Sequence, residues 1–220
     1  MPAIPKPAST VVLMDELDRI YLTKRPETMK FLGGYFVFPG GAVDSGDRQH
    51  DSMFMNLGTC EETFSPAYYV AAARELFEEV GVFLGGAKDS THPLFKKRPD
   101  QEYRHLLVNG EMSLLDLLKV EGLYLNLMSL RYFGHFITPE QSPIRFDTRF
   151  FLAKLPAGQT PKPDKQEVAD AFWASPEEAL TAYKEKRIPL APPTIASLHG
   201  ISRYLKGEPL QMPSIQDFIR

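Results

Sequence analysis

Three glutamates crowd the stretch Arg74-Glu75-Leu76-Phe77-Glu78-Glu79-Val80-Gly81-Val82. On a helix Glu75, Glu78 and Glu79 fall at i, i+3 and i+4, so all three carboxylates share one face. Ala73, Leu76, Phe77 and Val80 fall at i, i+3, i+4 and i+7 and form an opposite, apolar stripe suited to packing on a sheet. Carboxylates this close raise each other's pKa unless a cation neutralises them. An all-oxygen cluster suits a hard cation such as Mg²⁺ or Mn²⁺, and Arg74 can offset part of the charge. Glutamate-rich helix faces are more often simply solvated, so the cluster alone leaves both readings open.

The elements that would position these residues follow from pattern and punctuation. Residues 10–14 and 19–24 read as strands around a turn at Asp15-Glu16-Leu17-Asp18, and 35–38 as a third strand stopped by Pro39-Gly40-Gly41. Residues 44–63 are polar, without a period, and read as an inserted loop. Ser65-Pro66 supplies an N-cap and first-turn proline for the glutamate helix, which Gly81 ends. An irregular segment at 85–99 precedes two short helices near 100–108 and 114–121, the second capped by Ser113. Long strands follow at 131–138 and 146–155, then a proline-rich loop at 156–165 and a last strand at 168–173. Ser175-Pro176-Glu177-Glu178 is a capping box opening a helix to about 186, and Pro192-Pro193 precedes a final helix to about 205. Strands and helices interleave without a clean βαβ alternation, which favours an α/β fold with a mixed β-sheet and helices on both faces.

Composition excludes little. Hydrophobic residues are 43% and charged residues 24% of the 220, ordinary for a globular protein with a core. A net charge of −3 gives no support to a nucleic-acid binder. Cys60 is the single cysteine and cannot form an internal disulfide. The five histidines, His50, His92, His105, His135 and His199, lack zinc spacing. There is no nucleophile-elbow serine and no Walker-type lysine loop. No apolar run approaches the ~20 residues of a membrane span, and no signal-peptide core opens the chain. A cytoplasmic protein without membrane contact is the expectation.

The helix resembles the end of the Nudix box, G-x5-E-x7-R-E-U-x-E-E-x-G-U, where U is apolar. Upstream, Phe38-Pro39-Gly40-Gly41-Ala42-Val43-Asp44-Ser45-Gly46-Asp47 resembles its front, with Gly41 as the box glycine and Asp47 where Glu is usual. Twenty-six residues, 48–73, separate Asp47 from Arg74 where the pattern has seven, so the box is split by an excursion of 19. Tyr21-Leu22-Thr23-Lys24-Arg25-Pro26, Lys30, Gly34 and Phe38-Pro39-Gly40-Gly41 keep the spacing of L-L-T-x-R-S-x3-R-x3-G-x3-F-P-G-G, the signature of coenzyme A diphosphatases within the Nudix superfamily. Tyr21, Pro26 and Lys30 depart from it. With the strand from Arg145 to Phe151, the pattern is similar to the peroxisomal-type coenzyme A diphosphatases with a split box, although Phe218-Ile219-Arg220 is no peroxisomal address.

The resemblance implies one Nudix hydrolase domain over 1–220, an α/β/α sandwich with a helical insertion, its insertions lying near 45–65 and 85–122. It implies one to three Mg²⁺ or Mn²⁺ ions held by Glu75, Glu78, Glu79 and the Gly40 carbonyl, activating a water that attacks one phosphorus. The small-molecule substrate would be a nucleoside diphosphate compound. Coenzyme A or acyl-CoA would give 3′,5′-ADP and 4′-phosphopantetheine or its acyl form; ADP-ribose, NADH and dinucleoside polyphosphates are the alternatives. Glu75, Glu78 and Glu167 are the candidate catalytic residues, with Asp164 and Glu140 weaker ones of Glu167's kind. Arg25, Lys30 and Arg145 are candidates for substrate phosphates, with Lys24 and Arg149 behind them. Gly41, Arg74 and Gly81 would support the site, and Tyr35, Phe36 and Trp173 read as core rather than adenine platforms. A non-catalytic nucleotide-sensing domain is the rival of another class; it would be expected to have lost a helical glutamate. The oligomeric state stays open between monomer and the homodimer common in the family.

Overall fold

β1 (Lys6–Met14) carries Val11 and Leu13 on one face and Val12 and Met14 on the other, all four fully buried. Its run is continuously apolar because both faces of the sheet are covered. The computed structural model describes residues 2–58, 63–87 and 94–215. Cys60, His92, the Phe218-Ile219-Arg220 end and parts of both expected insertions therefore lie outside the described residues.

The remaining elements are β2 (Ile20–Lys24), β3 (Phe36–Val37), β4 (Gly40–Ala42), β5 (Met55–Asn56), α1 (Ala67–Val80), β6 (Gly85–Ala87), α2 (Asp100–Val108), α3 (Leu114–Glu121), β7 (Leu123–Asn126), β8 (Arg131–Ile137), β9 (Phe146–Lys154), β10 (Asp170–Ala174), α4 (Pro176–Lys184) and α5 (Pro192–Leu205). Among the described residues the main sheet runs β10-β2-β1-β9-β8, with β3 on β2 and β4 on β1. β1 and β9 pair in parallel from Lys6↔Phe146 to Met14↔Lys154, and the other pairs are antiparallel. One edge of β1 is divided: its first half takes β4 and its end takes β2. A small sheet, β5-β7-β6, stands apart.

α1, α2, α3 and the small sheet pack with Val11, Leu13 and Phe151 on one face. α4 and α5 cover Val12, Met14, Phe150 and Leu152 on the other. The result is a helix–sheet–helix sandwich around a mixed sheet, as expected. The Ser113 and Ser175 capping boxes form, and two prolines open α5.

Several expectations are corrected. Pro39-Gly40-Gly41 does not merely stop a strand, because Gly40–Ala42 is itself a strand paired to Ala8–Thr10. The polar segment after Asp44 contains a one-turn 3-10 helix, Gly46–Arg48, and β5. β6 lies in the segment read as irregular, and β7 was not expected at all. These strands are two to four residues long and exist through partners distant in the chain, so no local period announces them. Pro66, not Ser65, occupies the cap position of α1, with Ser65 Oγ accepting from Ala67 N at 3.3 Å. Tyr35 is exposed rather than core, whereas Phe36 is buried and Trp173 packs against Tyr21.

Candidate active site

α1 is not the two-faced helix that its spacing suggests. Glu75, Glu78 and Glu79 are only 9%, 4% and 8% exposed, so the solvated-face reading fails. Gly81 ends the helix in the left-handed conformation, φ 70°, with its N–H on Phe77 O at 2.8 Å. The buried carboxylates are held by three surrounding segments.

The first is the excursion. Arg74 Nε and Nη2 donate to Asp47 Oδ1 and Oδ2, each at 2.9 Å, and Nη2 also reaches Ala42 O at 2.8 Å. Nη1 donates to Glu75 Oε1 and Glu78 Oε2, both at 2.9 Å. Asp47, separated from Arg74 by 26 residues at the split of the box, is thus the fork on which Arg74 hangs, and Arg74 spans two of the three glutamates.

The second is β4. A Cβ on Gly41 would lie 2.4 Å from Glu75 Oε1, so only glycine leaves room for that carboxylate. Thr10↔Gly40 pairs across strands while Val11 N bonds Pro39 O, which turns the Gly40 N–H and C=O away from β1. On that side the Gly40 backbone N–H favours the ionised form of the Glu79 carboxylate.

The third is the loop between β9 and β10. The last carbonyls of α1 are all taken: Arg104 Nε donates to Glu78 O at 2.9 Å, Asp164 N to Glu79 O at 2.8 Å, and Lys162 N to Val80 O at 2.7 Å. Arg104 Nη1 also donates to Lys162 O at 2.9 Å. The loop therefore docks on the helix end and brings Glu167 beside the glutamates. Arg104 was missed from sequence; its buried neighbours Tyr103 and Leu107 on α2 marked an inward face that includes it.

Burial raises Glu75 to about 7, against the pull of Arg74 and with the charges of Glu167 and Asp47 adding to the rise. Burial likewise raises Glu78 to about 8, and it lifts Glu79 well above the carboxylate range together with Glu75 and Glu167. Glu167 is raised by burial and by Asp164. Burial works against the charge of Arg74, but its bonds to Asp47 and the surrounding carboxylates hold it firmly protonated. Glu78 Oε1 is buried with no partner. A crowd of repelling carboxylates with an orphaned oxygen has the chemistry that suits a hard cation. Among the described residues no three such groups converge on one point as the side chains stand, so ion binding would need them to turn inward.

Glu75, Glu79, Glu167, Gly40, Gly41 and Arg25 line one cleft of about 310 Å³ between the sheet and the start of α5. Arg25 Nε donates to Phe31 O at 3.1 Å, and its charge favours ionised Glu79 and Glu167. Lys30 is exposed and does not line the cleft. The Arg145 guanidinium is committed to Thr138 O at 2.9 Å and Ala3 O at 2.8 Å, tying strand ends together. Lys24 pairs with Glu27, and Arg149 pairs with Asp147 over the rings of Phe64 and Tyr68. Glu140 is exposed in a turn. Asp164 adjoins Glu167 without lining the cleft.

This sandwich, with a glutamate helix against a glycine strand, is the Nudix fold. A crystal structure of a Nudix hydrolase from Alicyclobacillus acidocaldarius superposes with a TM-score of 0.80 at 29% identity, over 96% of this chain and 99% of that one. Residues 59–201 match the model of the NUDT19 Nudix domain, and the chain belongs to that family. The acyl-coenzyme A diphosphatases NUDT19 of Xenopus laevis and Homo sapiens are 26% and 27% identical over 84% and 88% of this chain. The chain spans 60% and 65% of the length of those curated relatives. No helix among the described residues is long and apolar enough to cross a membrane.

Proposed function

We propose that the chain is a divalent-cation-dependent diphosphatase acting on coenzyme A or its acyl derivatives, releasing 3′,5′-ADP and 4′-phosphopantetheine or its acyl form. The observation that carries this reading is that Glu75, Glu79 and Glu167 line one cleft while a buried Glu78 oxygen lacks a partner. The names of the relatives support the substrate class.

Glu75, Glu78 and Glu79, with the outward-turned carbonyl of Gly40, would hold Mg²⁺ or Mn²⁺. A cation there supplies charge neutralisation at the diphosphate and acidifies a water. Glu167, standing at the cleft on a separate loop, accepts the proton of the attacking water. Arg25 binds a diphosphate oxygen. Arg74 keeps Glu75 and Glu78 oriented through its anchor on Asp47.

A second reading is kept by one observation. Lys30 and Arg145, the cations expected to meet a 3′-phosphate, do not line the cleft, so ADP-ribose, NADH or a dinucleoside polyphosphate remains a rival substrate. Hydrolysis of each compound with Mg²⁺ or Mn²⁺ and with EDTA, read by product mass, decides between them. Mass peaks of 3′,5′-ADP and phosphopantetheine are expected; faster release of AMP from ADP-ribose would establish the rival.

A further inference from the structure

The cleft has two chemically different ends. At one stand Glu75, Glu79 and Glu167 with Arg25, the cleft's single cationic side chain among the described residues. Across β1 from Gly40 and Gly41 of β4, the walls are Phe136 of β8 and Phe146 and Phe150 of β9. The polar side chains of that hollow include the hydroxyls of Thr148 and Thr194 but no side-chain amide. Phe31 and Phe146 pack edge to face with centroids 5.0 Å apart. This pair does not lie parallel to sandwich a purine, whereas an aliphatic chain needs only apolar wall.

Charge separates the two halves of the substrate further. A 3′-phosphonucleotide carries extra negative charge, and the cations that could meet it lie elsewhere: Lys30 is exposed outside the cleft, and Arg145 is spent on Thr138 O and Ala3 O. An acylated pantetheine arm is uncharged, and its amides match isolated hydroxyls. Resting on the function proposed above, we infer that the hollow holds the acyl-pantetheine arm of an acylated coenzyme A, and that the 3′-phosphonucleotide half projects out of the cleft. The diphosphate then lies at the carboxylate end, between the two.

The test is inhibition of acyl-CoA hydrolysis in Mg²⁺ by the two halves offered separately, S-octanoyl-pantetheine and 3′,5′-ADP. The acyl-pantetheine should compete with a Ki at least about tenfold lower than that of 3′,5′-ADP, since several buried methylenes contribute at its site alone. Phe31→Ala should raise the acyl-pantetheine Ki by roughly tenfold and leave the 3′,5′-ADP Ki within about twofold. Phe31→Leu, which keeps an apolar wall, should give a smaller rise and stands in should the alanine variant misfold. Tighter inhibition by 3′,5′-ADP, with Phe31→Ala weakening that inhibitor instead, overturns the inference. If no coenzyme A compound is hydrolysed, the proposed function fails. Calorimetric titration of both fragments in Mg²⁺ then judges the hollow separately: acyl-pantetheine binding supports its preference, and binding of 3′,5′-ADP alone overturns it.

Discussion

The Asp47 carboxylate accepts two parallel hydrogen bonds at 2.9 Å from the Arg74 guanidinium, 27 positions further along the chain. The split motif is closed in space by this fork, and the excursion changes the path between the partners without removing the contact. Both side chains are buried, so removing Asp47 leaves Arg74 Nε and one Nη2 hydrogen without an acceptor, its charge met by Glu75 and Glu78. Asp47→Ala should cost about 3–5 kcal/mol of unfolding free energy, as expected for half of a buried pair. Urea denaturation measures this, and an unchanged midpoint would show that the fork contributes nothing.

Gly41→Ala tests the contact between β4 and the helix. Its Cβ would press on the Glu75 carboxylate, so Glu75 must turn away from Arg74 or the strand must shift. A displacement near 1 Å in such a site costs on the order of 10²-fold in rate. The measurement is kcat with saturating Mg²⁺, where near wild-type turnover would contradict the packing argument.

Glu79→Gln separates chemistry from folding. The side chain is buried among Glu75 and Glu167, so the neutral isostere relieves repulsion and should leave the metal-free melting temperature equal or higher. Turnover should nevertheless fall by roughly 10²-fold or more through loss of the proposed cation ligand. A variant that melts lower in EDTA yet keeps full activity would reverse both expectations.

Stability without metal should depend on pH in a stated direction. Glu75 and Glu78 sit at about 7 and about 8 in the folded chain, above the usual carboxylate range, so the folded state binds more protons than the unfolded state between them. Their contribution is complete at acid pH and is lost as pH rises through 7 to 8. In EDTA the melting temperature should fall between about pH 5.5 and 8.5, and Mg²⁺ should restore it at the upper end by binding the ionised carboxylates. A flat profile in EDTA would show that the carboxylates are not buried as charges.

Arg104 joins α2 to the end of α1 and to the loop that carries Glu167, and its Nη2 is buried without a partner. Arg104→Met should cost several-fold in kcat with little change in KM, because the loop loses its tie while the cleft walls remain. Arg104→Lys should recover part of that loss. Equal effects on kcat and KM from both variants would mark a general loss of packing.

The chain alone determined the helices and the longer strands, because caps, prolines and hydrophobic periods act within a few residues of the chain. α2, α3 and α5 fall where their punctuation places them, and the spacing of Glu75, Glu78 and Glu79 disclosed a carboxylate cluster. Tertiary structure decided what surrounds that cluster. Burial of the glutamates and the fork from Arg74 to Asp47 depend on segments that meet only after folding. So does the docking of the 162–168 loop on the end of α1. The same holds for the cations expected to meet substrate: Arg25, Lys30 and Arg145 are alike as charges in a sequence. Only the packed strands show that Arg25 lines the cleft, Lys30 faces solvent and Arg145 ties backbone carbonyls, since a side chain's partners depend on the path of distant backbone.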